Sequence, residues 1–326
     1  MTTALFIIAI IVGFAILIWG ADRFVDGAAS IATNLGISPL IVGLTIVGFG
    51  TSAPEMLVSA LAAVDGAPAM GVGNAIGSNI TNIGLVLGIT ILITPLTVNS
   101  ASLKREFPML ALVMAIALYL VWDLELNHLD GVILFSGFIF ILFGMAYLAV
   151  KSTAEDPLAQ EFEQEFTAHK MSTKKAVLSF IIGLIALLVG SKALVWGATG
   201  IAQLLGVSDL IIGLTIVAIG TSLPELAASI ISALKNEHDI AVGNVLGSNM
   251  FNLLAVLAMP GLIAPSTLDP MIIFRDFPVM IALTMALFLF AYYGKNGRIG
   301  RVAGSLMLIS YIGYNALLAV QSSQVI

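Results

Sequence analysis

Residues 50–55 read Gly50-Thr51-Ser52-Ala53-Pro54-Glu55, and residues 220–225 read Gly220-Thr221-Ser222-Leu223-Pro224-Glu225. Each copy places a proline and a carboxylate inside a long apolar run. The offset between them is 170 residues, and it holds well beyond the six residues. Gly43-Leu44-Thr45-Ile46-Val47 recurs as Gly213-Leu214-Thr215-Ile216-Val217, and Leu35-Gly36 as Leu205-Gly206. Gly73-Asn74-Ala75-Ile76-Gly77-Ser78-Asn79 recurs as Gly243-Asn244-Val245-Leu246-Gly247-Ser248-Asn249, and Asn82 as Asn252. Arg105-Glu106-Phe107-Pro108 recurs as Arg275-Asp276-Phe277-Pro278. An internal repeat is therefore the first fact about this fold.

The solvent is the second. Of 326 residues, 59% are hydrophobic and 10% charged, and mean hydropathy is +1.08. A soluble domain carries about 25% charged residues, so this composition excludes a soluble enzyme and a disordered tail. The net charge of −6 leaves no basic footprint for nucleic acid. Cysteine is absent, which removes disulfides and thiolate metal sites.

A helix needs about 20 apolar residues to cross a bilayer. Ten such runs are predicted, near 4–20, 40–64, 70–96, 107–122, 131–150, 176–196, 210–234, 240–263, 271–293 and 302–320. They are too long for barrel strands and lack period-two alternation. The first has no basic residue before it and no small-residue cleavage site, so it reads as a retained helix. The expected fold is an all-α polytopic membrane protein with five helices per repeat. An odd number makes the two copies enter the membrane in opposite directions, an inverted-topology repeat. Residues 1–150 form the first repeat and 176–326 the second, joined by a charged cytoplasmic linker at 151–175. All basic residues except Lys192 and Arg275 fall on one side, which the positive-inside rule makes cytoplasmic. Both termini are then extracytoplasmic.

Nineteen residues are acidic, and two of them, Glu55 and Glu225, lie in mid-run. A carboxylate at the bilayer centre costs roughly 3 kcal/mol or more. A protonated glutamate bonding a neighbouring helix would explain one such residue, but not two with the same flanks. Pro54 and Pro224 lack N–H groups and push Ala53 and Leu223 away from helical angles, so a break is expected where each acid sits. Carbonyls freed there must face protein or water. Thr51, Ser52, Thr221 and Ser222 add hydroxyls within a turn. Asn74, Ser78 and Asn82 recur every four residues and form one helical stripe, matched by Asn244, Ser248 and Asn252. Interhelical hydrogen bonding is the competing role for that stripe, and close packing is the better role for Gly73, Gly77, Gly243 and Gly247. Hard oxygen ligands of this kind suit Ca²⁺ and Na⁺ rather than Zn²⁺ or copper. His128, His169 and His238 are expected in loops as ordinary surface residues. Asp22, Asp26, Arg105–Glu106 and Arg275–Asp276 are expected at helix ends as interfacial anchors.

With these motifs in place, the chain resembles the cation/calcium exchanger superfamily, specifically its prokaryotic sodium/calcium antiporters. The resemblance spans essentially the whole chain. It implies a central cation site in which Glu55 and Glu225 are the charged ligands and Thr51, Ser52, Ser78, Thr221, Ser222 and Ser248 supply hydroxyls. It also implies that the backbone carbonyls of Gly48 and Ala218 contribute and that Asn82 and Asn252 line the centre. The first and sixth helices are implied to slide across a more rigid core. Some relatives carry Asp at the position of Asn252, so the amide here removes one proton or cation ligand that the resemblance would otherwise imply.

The expected activity is exchange of Ca²⁺ for Na⁺, with Ca²⁺ extrusion across the inner membrane of a prokaryote. The expected partners are these ions and the lipid bilayer, with no cofactor, nucleic acid or obligatory protein partner. A Ca²⁺/H⁺ antiporter is the first alternative, but proton-coupled branches carry a GNxxE pattern that Asn74 and Asn244 do not begin. K⁺-dependent exchange and a cation channel are further alternatives. An enzyme is disfavoured, because no HExxH or GxSxG motif is present.

Overall fold

An apolar segment in lipid satisfies its own amides only by coiling into a helix. The computed structural model describes residues 2–36, 47–66, 68–98, 100–151, 171–204 and 218–323, and helices dominate them. In the first half, α1 spans Thr2–Leu35, α2 Gly48–Thr51 and α3 Ala53–Val64. α4 (Pro68–Thr81) passes through a π-helical segment, Asn82–Leu87, into α5 (Gly88–Ile93). α6 (Ser100–Leu120) and α7 (His128–Lys151) follow. The second half runs in the same order: α8 (Thr173–Leu204), α9 (Ala218–Thr221) and α10 (Leu223–Leu234). Then come α11 (His238–Phe251), a π-helical segment at Asn252–Val256, and α12 (Ala258–Ile263). A further π-helical segment, Ile272–Asp276, leads into α13 (Phe277–Tyr293), and α14 is Arg301–Ser323. Among the described residues, 6 helices are long and apolar enough to cross a membrane. Large apolar side chains such as Phe14, Phe140 and Ile309 face outward, as lipid contact requires.

Two short β-ladders tie the halves together reciprocally. β1 (Leu96–Thr97) pairs antiparallel with β4 (Arg298–Ile299), and β2 (Glu125–Leu126) with β3 (Ser266–Thr267). β3 is the copy of β1 at the 170-residue offset, so each half lends a strand to the other in the same way.

The core is in two parts. The larger packs α4, α5, α6, α11, α12 and α13 around residues such as Ile76, Ile80, Leu246 and Phe251. The smaller holds α1 and α8 against α10 through Leu17, Phe24, Leu187 and Ala228. α1 and α8 run antiparallel in close contact, and the rings of Phe24 and Phe180 stack at 4.6 Å. Glycine makes that approach feasible: a Cβ on Gly27 would stand 2.5 Å from the Phe180 nitrogen.

Several expectations change. α1 continues to Leu35 rather than ending near Gly20, and α8 continues to Leu204 rather than Trp196. Asp22 and Asp26 are therefore helix residues, as is Arg23, whose guanidinium lies 5.7 Å over the Trp19 ring. The cause is that these turns pack on protein, so their charges do not end the helix. His238 begins α11 and is half-buried with its Nδ1 unpartnered, so it is not an ordinary surface residue. Most of the linker, with His169, and the repeat matches at 43–46, 205–206 and 213–217 lie outside the described residues.

Candidate functional site

Each proline motif breaks its helix, though one residue earlier than expected. Ser52 has φ −83° and ψ 0°, and Ser222 has φ −86° and ψ 5°, while Ala53 and Leu223 already open α3 and α10. A proline in the first turn of a helix lacks only an N–H that has no partner there anyway. The break therefore falls at the serine, and Pro54 and Pro224 sit within the new first turns. Glu55 and Glu225 share those turns.

Both acids are inside the protein, Glu55 at 1% exposure and Glu225 at 0%. They are near enough for the charge of one to act on the other. The same clamp holds the backbone of each. Asn74 Nδ2 donates to the Glu55 carbonyl at 3.0 Å and to Ser59 Oγ at 3.3 Å. Asn244 Nδ2 donates to the Glu225 carbonyl at 3.3 Å and to Ser229 Oγ at 3.0 Å. The first residue of each polar stripe thus positions an acid rather than facing a cargo.

Contacts also cross between the halves. Thr51 Oγ1 donates to Asn244 Oδ1 at 3.0 Å and lies 3.4 Å from Ser248 Oγ. Ser248 Oγ donates to the Gly48 carbonyl at 3.3 Å. Ser52 Oγ and Ser248 Oγ approach Glu225 Oε1 at 3.4 and 3.5 Å. Thr221 is buried beside Glu55, yet no hydrogen bond of ordinary length reaches either Glu55 oxygen. Ala218 is the first residue of α9.

Further along the stripes two amide pairs form a cross. Asn82 Nδ2 donates to Asn249 Oδ1 at 3.1 Å, and Asn252 Nδ2 donates to Asn79 Oδ1 at 3.3 Å. At the repeat offset each pair is the copy of the other. Their geometry leaves Asn82 Oδ1 and Asn252 Oδ1 without partners. A π-helical turn starts at each of these asparagines, a distortion frequent at functional positions.

Buried polar atoms are nearly always paired. Among the candidate ligands the orphans are both oxygens of Glu55, Glu225 Oε2, Ser78 Oγ, Ser222 Oγ and the two asparagine oxygens. Glu106 Oε2, Ser232 Oγ, Ser266 Oγ and His238 Nδ1 are also unpartnered, outside this set. Among the described residues no three of His, Cys, Asp and Glu gather, so the acidic component is this one pair. The residues that sequence reasoning missed are Ser59, Ser229, Asn79 and Asn249. The repeat offset carries their signal, since each pair matches across it.

These features define a helical membrane protein built around a buried, acidic, oxygen-lined centre. Comparison narrows the class. The sodium/calcium exchanger protein family matches residues 5–147 and again 175–320, and the chain belongs to that family. It is 50% identical to the putative antiporter CaxA of Alkalimonas amylolytica, over 95% of this chain and 98% of that one. It is 37% identical to the inner membrane protein YrbG of Escherichia coli, over 95% of each chain. Among solved structures it resembles the sodium-calcium exchanger NCX_Mj soaked with Na⁺ and Ca²⁺. That match has TM-score 0.81 and 35% identity, covering 96% of this chain and 98% of that one.

Proposed function

We propose that the protein exchanges Ca²⁺ for Na⁺ across a membrane by alternating access. The ligands are Glu55 and Glu225, with oxygens from Thr51, Ser52, Ser78, Asn82, Thr221, Ser222, Ser248 and Asn252 and the carbonyls of Gly48 and Ala218. The observation that carries this reading is the set of buried, unpartnered oxygens around two buried carboxylates. Such a set is costly empty and favourable around a cation. NCX_Mj, named as a sodium-calcium exchanger, supports the choice of ions.

Charge balance supplies the coupling. Two ionised glutamates carry −2, which one Ca²⁺ or two Na⁺ neutralise. An empty site would leave both charges uncompensated in a low-dielectric interior, so occlusion without cargo is unfavourable. The carrier then crosses loaded in both directions, which is exchange rather than leak.

The architecture proposed is ten membrane crossings in two inverted repeats, 1–150 and 176–326, around a cytoplasmic linker at 151–175. The reciprocal strands and the crossed amide pairs support it, because a two-fold relation demands such exchanged contacts. The positive-inside bias puts both termini on the extracytoplasmic side of a prokaryotic inner membrane, and an inward Na⁺ gradient then drives Ca²⁺ out. The test is ⁴⁵Ca²⁺ uptake by purified protein in liposomes. A Na⁺ gradient should drive uptake and a pH gradient should not. Uptake driven by pH alone would make this a Ca²⁺/H⁺ antiporter, and conductance without a counter-ion would make it a channel.

A further inference from the structure

The repeat offset relates two pairs of charged residues, with Asp26 beside the first, that the cation site does not use. Lys235 caps the C-terminal end of α10. Its Nζ lies 2.6 Å from Asp22 Oδ1 and 2.7 Å from Asp26 Oδ1, and donates to the Asp22 carbonyl at 3.3 Å. α1 is thereby tied to α10. Moved through the 170-residue offset, Asp22 becomes Lys192, and Lys235 is itself the copy of Asp65. Asp65 caps α3 with nearly the same backbone angles as Lys235. The mate of the Asp22–Lys235 contact is thus a Lys192–Asp65 contact between α8 and α3. Both partners have changed sign, so attraction is preserved. A change at one position alone would have set like charges against each other.

The two contacts are not made together. Asp65 and Lys192 are exposed, and among the described residues the ion pairs are those of Lys235 and of Arg275. The packing of the described residues has the same asymmetry: α1 lies along α10, whereas among them the mates α8 and α3 scarcely touch. Because α1 and α8 are closely packed on each other, a shift of the pair that opens one contact brings the other closer.

We propose that Lys235 with Asp22 and Asp26, and in the opposite state Asp65 with Lys192, form two alternating ionic latches. They hold the α1–α8 pair first against one half and then against the other. This rests on the alternating-access reading above and assigns the residues that hold its end states. The latches are suitably weak. All the partners are partly exposed, with side-chain exposures of 27% for Lys235 and Asp26 and 48% for Asp22. Exposed ion pairs bias an equilibrium by about fivefold at most, enough to favour a state and too little to arrest the cycle. They are also unequal. Trp196 occupies the position that copies Asp26, so the second latch has one acid–base pair where the first has two.

The chain has no cysteine, so paired cysteines can be placed in an otherwise natural sequence. The test uses Asp22→Cys with Lys235→Cys and, separately, Asp65→Cys with Lys192→Cys, in liposomes under mild oxidation during Na⁺/Ca²⁺ turnover. Both pairs should form disulfides, the first in greater yield. Each should stop Ca²⁺ flux, and reduction should restore it. Cross-linking of the first pair without the second overturns the proposal, as does undiminished flux through either cross-linked form. Single variants provide an independent reading. Lys235→Ala and Lys192→Ala should shift the apparent Ca²⁺ affinity at one membrane face in opposite directions, by about two- to fivefold. Shifts in the same direction overturn it. Loss of Na⁺/Ca²⁺ exchange in the unmodified protein would instead count against the proposed function, so the two failures are distinguishable.

Discussion

Glu55 and Glu225 lie in nearly identical sequence, yet their surroundings differ. One oxygen of Glu225 has two serine hydroxyls at its edge, Ser52 and Ser248, whereas neither oxygen of Glu55 has a partner. The backbone clamps behind them, Asn74 and Asn244, are alike. The same contrast appears at the copied acids further on. Asp276 is held by Arg275 at 2.6 Å and by Tyr314 at 2.8 Å, whereas Glu106 keeps a buried oxygen without a partner. The repeat therefore sets the scaffold of each half, while the polar atoms of the two halves are satisfied unequally.

The largest expected effect comes from the carboxylates. In the proposed site, Glu55→Gln or Glu225→Gln removes one of the two charges that would balance the cargo, and breaking such a buried pairing costs about 3–5 kcal/mol. Na⁺-driven ⁴⁵Ca²⁺ flux should fall by roughly 100-fold or more in either variant. Full flux in one of them would confine the cargo site to the other half.

Next come the clamps. Asn74→Ala and Asn244→Ala each leave a glutamate carbonyl and a serine without their donor, at about 1–3 kcal/mol. Ca²⁺ affinity, measured by titration, should fall about tenfold in both. Equal losses would confirm that the scaffold is symmetric, and unequal losses would show that the clamp differs between end states.

Close packing of α1 on α8 gives the third expectation. Gly27→Leu forces a side chain into the Phe180 backbone and should cost about 1–3 kcal/mol. Thermal unfolding in detergent should drop by several degrees, with exchange slowed. Unchanged values would mean that the two helices do not stay together.

The smallest effect separates the two serines at the helix breaks. Ser52 reaches Glu225, whereas Ser222 Oγ has no partner. In the state seen here Ser52→Ala loses a hydrogen bond of about 0.5–1.5 kcal/mol, and Ser222→Ala loses none. Cation-free thermal stability should therefore fall in the first variant only. An equal drop in both would place the free protein in a different state.

Much of this was legible beforehand, because membrane burial makes polar residues conspicuous. Glu55 and Glu225 stand out in apolar runs, and the Ser and Asn stripes repeat at helical spacing. What escaped reading depends on contacts between distant segments. Asn79 and Asn249 lie one residue off the stripe and read only as repeat matches, and only the folded cross shows them holding the Asn82 and Asn252 amides. Asp22 and Asp26 read as a helix end because charge ends an apolar run. Their partner is Lys235, more than 200 residues away in sequence, and it lets α1 continue. The break at Ser52 rather than Ala53 is a matter of capping geometry that residue types leave undetermined within one position.

The most direct test is calorimetric titration of the purified protein with Ca²⁺, without and then with Na⁺, alongside Glu55→Gln and Glu225→Gln. The account requires Ca²⁺ binding that Na⁺ displaces and that either substitution abolishes. Ca²⁺ binding that persists undiminished in both variants, or that ignores Na⁺, would contradict a single shared site between the two glutamates.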